Sequence, residues 1–349
     1  MTQAAAIEQV EALEAERPAR RRVAGIDVVR GFSVMILLIA VHPGPRDGLP
    51  FELGHPPWNG LTFADTIFPL FLFAVGASMP FSRRAATGGR AVRRAVLLIL
   101  IGIGLVSLKA RRLILPGVLQ HIALAYLLAW LILRAPRRWQ VPICAAIVAG
   151  GWIGYVVAAA PGANPWSQAG GFAHEVNGIF FGRFATEGIP QTVLSTVAVV
   201  AGALAGRLVK ETGDSRVVFR RVTTWGLSLV AVALAMTPWV PLIKKLWTPS
   251  FAVFTAGTSL LYFAIAVWLV DLRGHRRAAQ PLVELGSNAI AIYVVTLALG
   301  ALLSPYHDRM GGPFDSHSAA AALGWAVAWL AVGWAISHWL YRRRIFIKV

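Results

Sequence analysis

His55-Pro56-Pro57-Trp58-Asn59-Gly60-Leu61-Thr62-Phe63-Ala64-Asp65 runs straight into Thr66-Ile67-Phe68-Pro69-Leu70-Phe71-Leu72-Phe73-Ala74-Val75-Gly76-Ala77, a polar loop joined to an apolar run. The run has the character of a membrane helix, which needs about 20 mostly apolar residues. A carboxylate, Asp65, nevertheless stands in its first turns. On insertion scales an ionised side chain inside a span costs roughly 2.5–3.5 kcal/mol, so Asp65 is expected to be paired and functional. Imidazole is the side chain best suited to exchange a proton near neutral pH, and His55 stands at the adjoining edge. A histidine at the membrane rim followed by an embedded aspartate points to chemistry at the bilayer surface.

The rest of the chain agrees with that setting. Of 349 residues, 57% are hydrophobic and 14% charged, with a mean hydropathy of +0.63. A soluble domain carries about 25% charged residues, so the composition indicates an integral membrane protein. Ten apolar segments are expected to span, near 24–42, 62–81, 96–108, 117–133, 141–159, 189–206, 223–240, 251–270, 288–304 and 319–340. The fold expected is an all-α polytopic membrane protein of about ten or eleven transmembrane helices. It comprises a tail over 1–23 and a single membrane domain over 24–349.

The net charge of +17 invites a nucleic-acid reading, but its distribution opposes it. Intervening segments on one side carry 24 Lys and Arg, those on the other carry 8, and Arg30 lies within the first span. The positive-inside rule then places both termini in the cytoplasm. Most of the basic excess reads as topology and contact with anionic membrane lipid, not nucleic acid. Residues 1–22 hold no apolar run of the kind a cleavable signal peptide carries, so none is expected. The lone Cys144 allows no intrachain disulfide and no cysteine metal site, and no spacing of metal-ligand residues stands out, so no metal is expected.

Other polar residues are candidates. Asp27 and Arg30 share one helix face and pair there, either as a structural ion pair or to aim Arg30 at an anionic ligand from the cytoplasm. Arg83 and Arg84 are inner anchors that a phosphate would also suit. His174 lies in the long outer segment 160–188, and long ordered loops usually cover something. Trp58 is an interface anchor or a wall of a site. Lys244 and Lys245, an unusual basic pair on the outside, are either boundary anchors or attract an acidic acceptor. Gln120, His121 and Asn288 either glue helices or line a cavity.

These residues form extended patterns. Asp27-Val-Val-Arg30-Gly31 and His55-x-x-Trp58-Asn59-Gly60-Leu61-Thr62-x-Ala64-Asp65-x-x-Phe68-Pro69 resemble the heparan-α-glucosaminide N-acetyltransferase family of transmembrane acyltransferases. The likeness recurs in Pro116-Gly117-Val118-Leu119-Gln120, in Lys244 to Phe251, in Gly286-Ser287-Asn288-Ala289-Ile290 and in Tyr341 to Ile347. It implies that an acetyl group passes from cytosolic acetyl-CoA to an amino sugar or glycan acceptor across the membrane. It also implies that the essential histidine is His55. The chain departs from the bacterial pattern at Val41-His42-Pro43-Gly44, at His121 and at Ala185-Thr186-Glu187-Gly188, sites where a different acceptor would be felt.

The expected mechanism makes His55 a general base or an acyl-carrying residue. Asp65 orients the ring, and Asn59 or Asn288 donates to the oxyanion. Arg30, Arg83, Arg84 and Asn288 are the expected donor contacts; Trp58, Lys244, Lys245 and His174 are the expected acceptor contacts. The runner-up is a proton-coupled transporter or flippase, and a membrane scaffold is the third reading. Alanine, arginine and glycine richness fits a bacterial inner membrane. A homodimer is among the assemblies the sequence allows.

Overall fold

The computed structural model describes residues 24–42, 44, 50–82, 88–167, 171–182, 185–310 and 319–347. Among the described residues there are twelve α-helices and no strand. We number them α1 (Ala24–Ala40), α2 (Ile67–Ser78), α3 (Gly88–Ala110), α4 (Val118–Ile132), α5 (Arg137–Val157), α6 (Phe172–Phe181), α7 (Ile189–Thr212), α8 (Ser215–Met236), α9 (Pro249–Ala266), α10 (Arg276–Ser287), α11 (Ala289–Met310) and α12 (Ala319–Arg342). Each of the ten expected apolar segments coincides with one of them.

Seven helices are long and apolar enough to cross a membrane unaided, and eight if α10 and the apolar part of α11, bent by 68° where they meet, count as one span. At 15 residues α4 reaches only about 22 Å, less than the ~30 Å hydrocarbon layer. The chain is a multi-pass membrane protein. Two helices escape hydropathy reading: α6, inside the expected outer loop, and the amphipathic α10, inside an expected inner one. In addition, α3 begins earlier than expected because its first turns are basic. Arg94 there lays its guanidinium over the Tyr126 ring of α4, 4.8 Å from the centroid.

Apolar pattern decides who is central. The span containing α2 is apolar all round, and 78% of its most apolar stretch is buried in protein, as in α7. The corresponding share for α5 is 11%, leaving Val141, Ile153 and Val157 outward for lipid. One face of α2, with Leu72 and Val75, joins a core with Leu38, Ile122 and Phe251. The other, with Leu70 and Phe73, joins a second core with Phe263 and Leu208. Lipid tails are as apolar as leucine, so close backbone approach must hold such helices together. Glycines provide it: a Cβ on Gly76 would lie 1.9 Å from Val199 O, and one on Gly202 would lie 2.0 Å from Phe73 O. The α1–α10 contact uses Gly31 and Gly286 in the same way.

Some buried hydroxyls are satisfied within their own helices. Ser33 donates to Val29 O at 2.8 Å and Thr255 to Phe251 O at 2.8 Å. Between α7 and α8, Gly213 adopts φ +63° to end one helix, and Asp214 accepts from Arg216 N–H at 2.8 Å to start the next.

Candidate functional site

The site forms where α2 begins. Thr62 N–H donates to Asp65 Oδ2 at 3.0 Å, capping the first turn and fixing the carboxylate plane. The other oxygen, Oδ1, is then left facing the loop, 2.7 Å from His55 Nδ1 and 3.2 Å from Lys244 Nζ. Asp65 is fully buried while the His55 side chain is 48% exposed. Lys244 Nζ also lies 3.2 Å from His55 Nδ1 and 3.1 Å from Nε2. A carboxylate, an imidazole and an ammonium thus meet at one oxygen.

Lys244 comes from a tight turn 189 residues away in sequence from His55. Trp247 holds φ +52°, a left-handed conformation that costs a bulky residue energy. Its N–H donates to Lys244 O at 2.9 Å, Thr248 N–H reaches Ile243 O, and Gly60 pairs with Ile243 across the two segments. The turn is bound to the His55 loop a second time, by Lys245 Nζ donating to Pro57 O at 2.6 Å. Burial lowers the Lys244 ammonium below the usual lysine range, and the Asp65 carboxylate opposes that shift.

A cover lies over the turn. Trp58 Nε1 donates to Trp166 O at 2.8 Å, and Gln191 Nε2 to Lys245 O at 3.2 Å. Asn177 of α6, fully buried, donates to Gln191 Oε1 and accepts from Ile189 N–H. Trp166 and Asn177 therefore tie the described residues around them to the site.

Two cavities meet at this group. One, of about 180 Å³, is lined by Trp58, Asp65, Glu187, Lys244, Lys245 and Trp247, with His55 at its edge. The other, of about 460 Å³, lies between the end of α1 and the loop, with Leu37, Val41 and Phe51 in its wall beside His55 and Lys244. Phe68 lines both, and also a slot of about 10 Å³ running between α1, α2, α4 and α11 past Ile122 and Tyr293. Behind Phe68, His121 packs against Trp247 with centroids 5.1 Å apart, and its Nε2 lies 2.7 Å from Ser195 Oγ.

Among the expected site residues, His55, Asp65, Trp58, Lys244 and Lys245 come together. Asn59 is exposed, with Oδ1 accepting from Gly60 N–H at 2.9 Å, and it lines neither cavity at His55. His174 is exposed on α6 and also lines neither. Asn288 is buried at the α10–α11 bend, where Nδ2 donates to Ile345 O and Oδ1 accepts from Ile347 N–H, so it grips the tail. Arg30 holds α1, α2 and α10 together through Asp27, Ser78 Oγ and Gly286 O. Arg83 and Arg84 lie outside the described residues. Missed from the sequence were the ion pair between Lys244 and Asp65 and the lining roles of Phe68, Glu187 and Trp247. The only signal for Glu187 was the departure from the bacterial pattern at 185–188. Among the described residues no three His, Cys, Asp or Glu side chains cluster as metal ligands would.

Residues 22–163, which contain the His55–Asp65 loop, match the family model "Heparan-alpha-glucosaminide N-acetyltransferase, catalytic". The chain is similar in sequence to these enzymes. The human heparan-alpha-glucosaminide N-acetyltransferase is 23% identical over 405 residues, covering 94% of this chain and 60% of its own length. The mouse enzyme of the same name is 23% identical over 418 residues, covering 96% and 62%. The chain thus spans about three fifths of the length of these curated relatives. The match reaches beyond the catalytic model to the Lys244–Trp247 turn, which supplies the ammonium of the site.

Proposed function

We propose that this protein is a transmembrane acetyltransferase that moves an acetyl group from acetyl-CoA to an amino sugar or glycan acceptor on the opposite side of the membrane. The observation that carries this reading is the Asp65–His55–Lys244 group standing at the junction of two cavities, with His55 and Asp65 inside the stretch that matches the catalytic family model.

The chemistry follows from the three groups. Asp65 accepts from the His55 Nδ1–H and leaves Nε2 as the base. Nε2 takes a proton from the acceptor nitrogen or oxygen as that atom attacks the thioester carbonyl. The tetrahedral oxyanion forms beside the Lys244 ammonium, which stabilises it electrostatically. Collapse breaks the C–S bond, the CoA thiolate leaves and the imidazolium returns its proton to it. Transfer through an acetyl-imidazole would use the same atoms in two steps. Phe68, common to both cavities and the slot, must move for a thioester arm to pass between α1 and α2.

In this reading the 180 Å³ cavity with Lys244, Lys245, Glu187 and Trp58 takes the acceptor, and the 460 Å³ cavity takes the acyl arm. All ten apolar segments cross the membrane, both termini face the cytoplasm, and the membrane is a bacterial inner membrane.

The test is purified protein with acetyl-labelled acetyl-CoA and a panel of amino sugars. Labelled product that depends on an acceptor and disappears in His55→Ala supports the reading. Acceptor flux across proteoliposomes without thioester cleavage would instead identify a transporter. Label retained on wild-type protein without acceptor, and lost in His55→Ala, would select the two-step route.

A further inference from the structure

A cluster of charged residues outside the His55 site lies at the other end of α2, a span of 19 residues and about 28 Å away. A cavity of about 510 Å³ opens there between the ends of α2, α4 and α7 and the start of α5. Its charged lining residues are Arg134, Arg137, Arg207, Lys210 and a single carboxylate, Glu211. We propose that this cavity binds a phosphate ester, carried either by an anionic lipid headgroup or by a phosphorylated nucleoside.

Charge bookkeeping is the first argument. Arg137 Nη2 meets Glu211 Oε1 at 2.6 Å, which leaves three further cations along the wall. Their hydrogen-bond and ring partners are neutral, although Arg207 also feels the charge of Glu211 through space. Lys210 Nζ donates to Pro80 O at 2.8 Å, and the Arg134 guanidinium lies 4.2 Å from the Trp130 ring centroid. Arg207 Nη1 donates to Gln140 Oε1 at 3.1 Å. Like charges gathered on one wall repel one another, and an anionic phosphate ester would lower that cost.

Preorganisation is the second. Gln140 is 1% exposed, and its Nε2 donates to Leu133 O at 3.1 Å and Ala135 O at 2.9 Å. The amide is therefore locked with its oxygen toward Arg207, which aims the guanidinium. Arg207 is half-buried within the last turns of an apolar span, where a mere anchor would stretch to water. Position is the third. Met79, Leu133 and Ala203 add apolar wall beside the cations, the composition of interhelical basic pockets that hold lipid headgroups. The volume falls within the ~300–1,000 Å³ range of small-ligand sites.

The experiment uses the full chain in detergent, with native mass spectrometry and thermal unfolding. Three probes are added separately: phosphatidylglycerol, 3′-phosphoadenosine 5′-phosphate and neutral phosphatidylcholine. The expected result is saturable binding of one anionic probe, with a raised Tm, weakened at least tenfold by Arg134→Gln with Arg207→Gln and partly restored by lysine at both positions. Binding by phosphatidylglycerol assigns the headgroup source, and binding by the nucleotide assigns the nucleoside source. If the double variant fails to fold, Lys210→Gln at the rim should give a smaller loss of the same kind. Binding of neither anionic probe, or binding that these substitutions leave unchanged, overturns the proposal. His55→Ala is expected to bind as wild type does, so failure of the acyl-transfer reading leaves this result standing.

Discussion

Two histidine–carboxylate pairs occupy different parts of this bundle, and they do different work. His55 Nδ1 lies 2.7 Å from Asp65 Oδ1, and His338 Nδ1 lies 3.0 Å from Glu284 Oε2. Both carboxylates are buried and both rings are partly exposed. Their surroundings separate them. Lys244 stands 3.2 Å from Asp65 and two cavities meet at His55. His338 stacks on Trp334 with centroids 5.1 Å apart, while Gln280 and Ser337 complete the bonding of Glu284, and the pair lines neither cavity. Imidazole next to carboxylate is thus a common way to satisfy a buried charge; a nearby cation and an open volume turn it into a candidate site.

The sharpest way to break that contrast is to remove each ring. His55→Ala should lower acetyl transfer by about 10³–10⁴-fold with little change in Tm, as loss of a general base does. Transfer within tenfold of wild type would remove His55 from the chemistry. Lys244→Met comes next, with an expected loss of about 10²–10³-fold, the usual effect of deleting one oxyanion-stabilising group. A variant raising KM alone would instead make Lys244 an acceptor contact.

The pH profile sharpens the same point. If the Lys244 ammonium is required, activity falls as pH rises through its pKa, which burial lowers from the ordinary ~10.4. Asp65 opposes that shift, so residual activity in Asp65→Asn should fall at a still lower pH. The alkaline limb should vanish in Lys244→Met, and its persistence there would assign it elsewhere. The smallest catalytic effect is expected for His338→Ala: transfer within about threefold, but stability lowered by roughly 1–3 kcal/mol because Glu284 loses a partner while buried. Thermal unfolding beside the transfer assay separates the two outcomes.

Local sequence carried much of the fold. Long apolar runs announce their helices because hydrocarbon tolerates no unpaired backbone. Helix α10 was illegible because Arg276, Arg277 and Gln280 make it look like a loop, and its contact with α1 depends on Gly31 and Gly286. Hydropathy is blind to that closeness of backbones. At the site, His55 and Asp65 could be paired from one short stretch, because loop and first turn are continuous. Lys244 could not be placed, since its approach depends on a turn held by Trp247 at positive φ. Asn288 could be read as gluing helices or as lining a cavity, and its bonds go instead to the tail backbone, a partner 57 residues away.

The glycine contacts between α2 and α7 have a mechanical consequence. With Gly76, Gly202 and Gly206 each set against main chain of the opposite helix, neither can slide without collision. The two behave as a stator, and any opening for a thioester arm falls to the bent α10–α11 arm on the other flank. Spin labels on α2 and α7 should report one separation with and without acetyl-CoA, while a label on α11 should broaden or shift.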